Sequence, residues 1–179
     1  MNTILEHYEL KCNTRSDINE HLPTLFRYSS ECDHITEMGV REVVSTWAFL
    51  NAKPRKMVSY DLYTSTHINE PLRLAKESGI DFSFVEANVL EVDIEKTDLL
   101  FIDTAHQYEQ LKNELSKHSG KVKKYIILHD TTLFAHTDES TGNVGGLVKA
   151  LDEFLEENSN WQRKEVFTNN NGLTVLERV

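Results

Sequence analysis

The chain has 179 residues, enough for one domain with a sizeable core, and its 39% hydrophobic and 27% charged residues form an ordinary globular composition. A net charge of -10 excludes the cation-driven capture of nucleic acid phosphates and sets the surface against anionic membranes. A small neutral or cationic ligand is the natural partner. Residues 1–10 carry Glu6, His7 and Glu9 in place of a basic segment leading into an apolar one, and no long apolar run follows anywhere. Neither a signal peptide nor a membrane-spanning helix is expected. Cys12 and Cys32 are too few for a disulfide framework and lack CxxC spacing. The expected location is cytoplasmic, with both thiols reduced.

Residues 1–34 read as a polar lead-in. Within it Pro23 suits the first turn of a helix carrying Leu22, Leu25 and Phe26, a cover over one end of the sheet that follows. From His34 strands and helices alternate. A strand near Ile35–Met38 leads to Gly39 and a helix over Val43–Leu50. Lys56–Asp61 is a second strand, and a helix around Asn69–Ser78 has Pro71 in its first turn and Gly79 at its end. Phe82–Ala87 is a third. Asp98–Asp103 and Tyr125–Asp130 are continuous apolar runs ending in an acid, as parallel strands buried on both faces read. A helix over Tyr108–Lys117 and Gly120 lie between them, and Lys121, Lys123 and Lys124 form a solvated face before the fifth strand. Phe134–Gly146 is long and polar, a candidate lid. Leu147–Leu155 has helical apolar spacing. Lys164–Thr168 and Leu173–Leu176 are strands joined through Asn171-Gly172, the strongest short hairpin signal. Trp47 and Phe49 belong to the core, and Trp161 packs the last helix against the hairpin. The pattern is α/β throughout, in one domain over residues 1–179.

Ligands in open α/β sheets sit beyond the carboxyl ends of the strands, so Asp103, His106, His129 and Asp130 converge on one crevice. Gly39 permits a tight first strand-to-helix turn. The helix after it presents free N–H groups to an anion such as a carboxylate, and Ser45 and Thr46 add hydroxyl donors. Asp61 ends the second strand 22 residues after Gly39, the spacing that ribose recognition uses. Asn88 suits an adenine edge. Asp103 and Asp130 with His129 can hold a hard divalent cation. Alternatively His106, with a side chain that titrates near neutrality, serves as general base. Gly120-Lys121 is no P-loop, because Leu115 stands where a glycine is needed, and HExxH, zinc-type and GxSxG spacings are missing.

Taken together these residues resemble the class I S-adenosylmethionine-dependent methyltransferases, in the small O-methyltransferase branch that includes cephalosporin-pathway, macrolide-sugar and rhamnosyl methyltransferases. The resemblance runs from about Ile35 to Arg178. It rests on Glu37-Met38-Gly39-Val40-Arg41 with Ser45-Thr46, and on Leu100-Phe101-Ile102-Asp103 followed by His106 and Tyr108. His129-Asp130-Thr131, Gly145-Gly146 and Asn171-Gly172-Leu173 complete it. It implies a Rossmann-like, doubly wound sheet of seven strands, the last antiparallel within a C-terminal β-hairpin. S-adenosylmethionine would lie across the first strands, with Glu37, Gly39 and Arg41 at its methionine end, Asp61 at its ribose and Asn88 at its adenine. Val40, Ser45, Leu62, Val89 and Asp103 complete the expected cofactor set. Asp103, His129 and Asp130 would bind Mg²⁺, and His106 with Asp130 would be catalytic.

The implied activity is O-methylation of a sugar or another small polar metabolite, with residues 134–146 as lid. A homodimer partner or the N-terminal 34 residues would complete the acceptor pocket. Two departures stand out. Glu42 and Val43 occupy the place of a second glycine in the first loop, and Thr104-Ala105 replaces the middle of an Asp-Gly-Asp-His motif. They keep open a catalytically silent fold member that binds a nucleoside or a partner protein; a nucleotide-dependent oxidoreductase using the same first turn and Asp61 is the other rival, which the closing hairpin disfavours.

Overall fold

The computed structural model describes residues 2–142 and 144–179; Met1 and Asn143, the latter within the expected lid, lie outside the described residues. Seven strands are formed: β1 (His34–Met38), β2 (Lys56–Asp61), β3 (Asp81–Glu86), β4 (Thr97–Ile102), β5 (Val122–His129), β6 (Trp161–Phe167) and β7 (Leu173–Arg178). They make one sheet in the order β3-β2-β1-β4-β5-β7-β6. The first five are parallel to their neighbours, and β7 runs antiparallel to both β5 and β6. The expected α/β sheet with one antiparallel strand is therefore present. Its order reverses between β1 and β4, and a crevice opens at that switch point.

Among the described residues six α-helices cover the sheet: α1 (Ile4–Asn13), α2 (Leu22–Ser29), α3 (Val44–Asn51), α4 (Asn69–Glu77), α5 (Tyr108–His118) and α6 (Gly146–Glu157). The apolar runs are buried because successive residues feed two cores. Ile35, Leu99, Phe101, Ile127 and Val175 pack with α1, α2 and α3 on one face. Met38, Leu100, Ile102, Ile126 and Leu128 pack with α5 and α6 on the other. Each fully buried Leu or Ile contributes about 1.5–3 kcal/mol, which outweighs any local preference for loop.

The N-terminal segment differs from expectation. It holds two helices, and α2 covers a face of the sheet: Leu22 and Leu25 are fully buried, and Tyr28 meets Tyr125 with ring centroids 4.8 Å apart. The N-terminus of α1 is closed by a capping box, Thr3 accepting from the Glu6 N–H while the Glu6 carboxylate takes the Thr3 N–H. Strand β5 starts early enough to include Lys123 and Lys124. Lys123 stays at the surface, 3.1 Å from Asp98. Trp47 and Phe49 are core residues, and Trp161 packs on Phe154 as expected, 6.4 Å between centroids. The hairpin turn carries positive φ at Asn170, Asn171 and Gly172. Among the described residues no helix is long and apolar enough to cross a membrane.

Candidate functional site

The ends of β1 and β4 approach closely, with the Asp103 N–H donating to the Met38 carbonyl at 2.8 Å and the Gly39 N–H to the Tyr60 carbonyl at 2.9 Å. Gly39 has φ +89, and a Cβ there would lie 1.9 Å from the Asp103 carbonyl oxygen. Only glycine fits. The loop after it is strained, with φ +42 at Arg41 and +60 at the β-branched Val43. Asp61 holds it in that shape: Oδ2 accepts from the N–H groups of Val40 (2.8 Å) and Arg41 (3.0 Å), and Oδ1 from that of Tyr63 (3.2 Å).

Beneath this loop lies a cleft of about 500 Å³. Of the expected cofactor residues, Gly39, Arg41, Asp61, Leu62, Asn88, Val89 and Asp103 line it. Asn88 also shapes its own turn, accepting from the Leu90 N–H at 3.0 Å. Tyr60, Tyr63 and Gln110 line the cleft too and were not foreseen from the sequence. Tyr63, 78% exposed, offers a free aromatic face.

Glu37 stands apart from the cleft, contrary to its expected place there. It is fully buried and accepts hydroxyl hydrogen bonds from Ser45 (2.6 Å), Thr46 (2.9 Å) and Ser59 (2.6 Å). Burial pushes its carboxyl up to about 7, against the three hydroxyls that stabilise the charge. The two hydroxyls read as donors to a ligand are spent on this internal acid.

A second chamber of about 240 Å³ adjoins the cleft, sharing Gly39, Arg41, Asp61, Asp103 and Thr104 with it. Val40 and Ser45 border this chamber, together with Ile18, His106 and Glu139. Asp103 and His106 line it, and behind them they meet His129 and Asp130. His106 Nε2 lies 3.3 Å from Asp103 Oδ1 and 2.8 Å from Asp130 Oδ2, and its Nδ1 2.9 Å from Glu139 Oε2. Its ring stacks on Phe134 at 4.8 Å. His129 Nδ1 lies 3.2 Å from both aspartates, and its Nε2 donates to the carbonyls of Asp17 (3.1 Å) and Asn170 (3.2 Å).

Burial works against charge on both rings, but the carboxylates of Asp103 and Asp130 outweigh it and push each imidazole up to about 10. Burial likewise opposes charge on Asp103 and Asp130, yet the two imidazoles hold both acids below the usual range. Three carboxylates surround His106 and favour its charged form.

Two segments close the chamber. From the 134–146 loop, the Glu139 N–H donates to the His106 carbonyl at 3.0 Å, and Asp138 Oδ1 accepts from the N–H groups of Tyr108 (2.8 Å) and Gly146 (3.3 Å). One carboxylate oxygen thereby meets the first N–H of both α5 and α6, where helix dipoles favour an anion. From the N-terminal segment come Ile18 and Asp17, whose carboxylate pairs with Arg41. Asp17, Ile18 and Asn170 escaped the sequence reading; Asp17 and Asn170 reach His129 from far along the chain, Ile18 borders the chamber, and no local signal marks them.

Ligand atoms of Asp103, His129 and Asp130 lie within 4.8 Å of one another. The set does not fit Mg²⁺, which takes oxygen ligands and retains several waters. Two ring nitrogens stand between the carboxylates here, so the expected Mg²⁺ site is not supported.

No protein-family model and no curated protein matches the chain. Solved structures do match in fold. A Corynebacterium glutamicum protein superposes with TM-score 0.69 at 15% identity, covering 98% of this chain and 89% of that one. A Staphylococcus aureus protein assigned as a caffeoyl-CoA O-methyltransferase gives 0.66 at 16%, covering 89% and 83%. The N-methyltransferase NodS of Bradyrhizobium japonicum, in complex with S-adenosyl-L-homocysteine, gives 0.63 at 13%, covering 99% of each. The chain has the Rossmann-like fold of these methyltransferases.

Proposed function

We propose that this chain is an S-adenosylmethionine-dependent methyltransferase acting on a hydroxyl of a sugar or another small polar metabolite. The observation that carries the reading is a switch-point cleft, pinned by Asp61, that adjoins a second chamber at Asp103. The NodS complex supports it, since the same fold there binds S-adenosylhomocysteine.

When bound, S-adenosylmethionine supplies an electrophilic methyl group for in-line displacement. Asp61, which lines the cleft, would accept from ribose hydroxyls, and Tyr63 would offer a stacking face to the adenine. Asp103 borders both spaces, so its carboxylate is the group placed to orient the acceptor hydroxyl and hold its proton. His106 and His129 fix the carboxylates of Asp103 and Asp130, which makes them positioning residues. Ile18 from the N-terminal segment and Glu139 from the lid border the chamber. The N-terminal segment of the same chain thereby supplies the outer wall.

Titration calorimetry tests the reading. S-adenosylmethionine and S-adenosylhomocysteine are expected to bind one per chain, and NADH not at all. Asp61→Ala is expected to weaken S-adenosylhomocysteine at least tenfold, about 1.4 kcal/mol, through loss of both the ribose contact and the pinned loop. Binding of NADH in its place would overturn the proposal.

A further inference from the structure

Gln110, Glu114 and His118 follow one another at four-residue spacing along α5, so they share one face of that helix. Glu114 and His118 are fully buried, a costly place for such groups unless they are hydrogen-bonded. Each is bonded to a wall of the cleft. Glu114 Oε1 accepts from the Thr104 hydroxyl at 2.6 Å and from the Gln110 amide N–H at 2.8 Å, and Thr104 and Gln110 both line the cleft. The His118 Nε2–H donates to the Val89 carbonyl at 2.8 Å, which ties the loop after β3 to the same helix.

Two side-chain amides line the cleft, and they differ in what they can offer a ligand. Asn88 has both ends engaged in its own turn: Oδ1 accepts from the Leu90 N–H at 3.0 Å, and Nδ2 donates to the Glu91 carboxylate at 3.1 Å. Gln110 is held through its nitrogen by the buried Glu114 carboxyl. A carboxylate only accepts, so the partner fixes which way the amide is turned and leaves the carbonyl oxygen of Gln110 for the cleft. An acceptor in that position favours the exocyclic amine of a 6-aminopurine and faces the oxygen of a 6-oxopurine unfavourably.

We propose that Gln110 selects the base of the nucleoside in the cleft, its amide carbonyl accepting from the amine of a 6-aminopurine, and that Glu114 is the positioning residue that sets this orientation. That the ligand is a nucleoside rests on the methyltransferase reading; which base it carries rests on these side chains.

S-adenosylhomocysteine and S-inosylhomocysteine differ only in the amino or oxo group of the base. Both are titrated by calorimetry into the full chain and into its Gln110→Leu and Glu114→Gln variants. The wild type is expected to bind S-adenosylhomocysteine at least about tenfold more tightly than the inosyl compound. Gln110→Leu, at a half-buried position, should bring the two affinities together. Glu114→Gln keeps the shape and changes the donor pattern. Glu114 Oε2 is buried with no hydrogen-bond partner, so an amide nitrogen in its place would be orphaned. In the place of Oε1 that nitrogen meets the oxygens of Thr104 and Gln110, and the Gln110 amide turns its N–H₂ toward the cleft. This variant should therefore lose the preference for the amino base or reverse it. A merely structural role would weaken both ligands together and leave their ratio as in the wild type. That result in either variant, or equal affinities in the wild type, would overturn the proposal. If Glu114→Gln fails to fold, Gln110→Leu still decides. Failure of both ligands to bind overturns the methyltransferase reading and base selection with it, whereas binding of both without preference overturns base selection alone.

Discussion

Gly39→Ala is expected to cost about 4 kcal/mol or more in urea unfolding and to abolish S-adenosylhomocysteine binding. The new Cβ would sit 1.9 Å from the carbonyl oxygen and 2.6 Å from the carbonyl carbon of Asp103, both backbone atoms that no side-chain rotation can clear. Relief requires parting the ends of β1 and β4, where the cleft, the chamber and the acid–histidine ring all meet. Effects of this size come from a short list of causes, and forced backbone overlap is one. Against a total stability of about 5–15 kcal/mol the loss is large. Gly79→Ala is the control. It also has positive φ, +74, but nothing lies within 4 Å of the added atom. It should cost about 1 kcal/mol and leave ligand binding intact. Equal effects at the two positions would show that conformation alone, and not the close approach of two strands, makes Gly39 necessary.

The second large effect is a pH dependence centred on Glu37. Its carboxyl is raised by burial from 4.5 to about 7 in the folded chain. Between those values the folded state binds a proton that the unfolded state has lost, so stability falls as pH rises through this window and levels off above it. The full drop is at most about 3 kcal/mol, at 1.36 kcal/mol for each pKa unit. Glu37→Gln keeps the shape and removes the titration, and its neighbours Ser45, Thr46 and Ser59 can rotate their hydroxyls to meet the amide. The variant should gain on the wild type steadily from pH 5 to pH 7, as measured by denaturant midpoints. A stability difference that stays constant over that range would contradict the assignment.

Where the sequence could be read, the reason is local. Asp98–Asp103 and Tyr125–Asp130 announced buried parallel strands because every residue between the terminal acids and histidine is apolar, and the Asn171-Gly172 turn announced the hairpin. Gly39, Asp61 and Asp103 were legible as one crevice because strand ends in such sheets share a side. The α1 helix was missed although Thr3 and Glu6 spell its capping box; Ile4 is its only buried residue, too weak a pattern to read as a helix. At the site, Ser45 and Thr46 were identified as donors to an anion, but the anion is Glu37 of the same chain. The histidines were placed correctly, but the groups around them were not legible. Those groups include Glu139, Asp17 and Asn170, distant in sequence and brought in by tertiary packing.

A crystal structure of the chain grown with S-adenosylhomocysteine tests the central claim most directly. The account predicts the adenosine in the cleft between Asp61, Tyr63 and Asn88, with the sulfur facing the chamber at Asp103 and His106. Density for the ligand in any other cavity, or in the cleft with its sulfur turned away from Asp103, would contradict it.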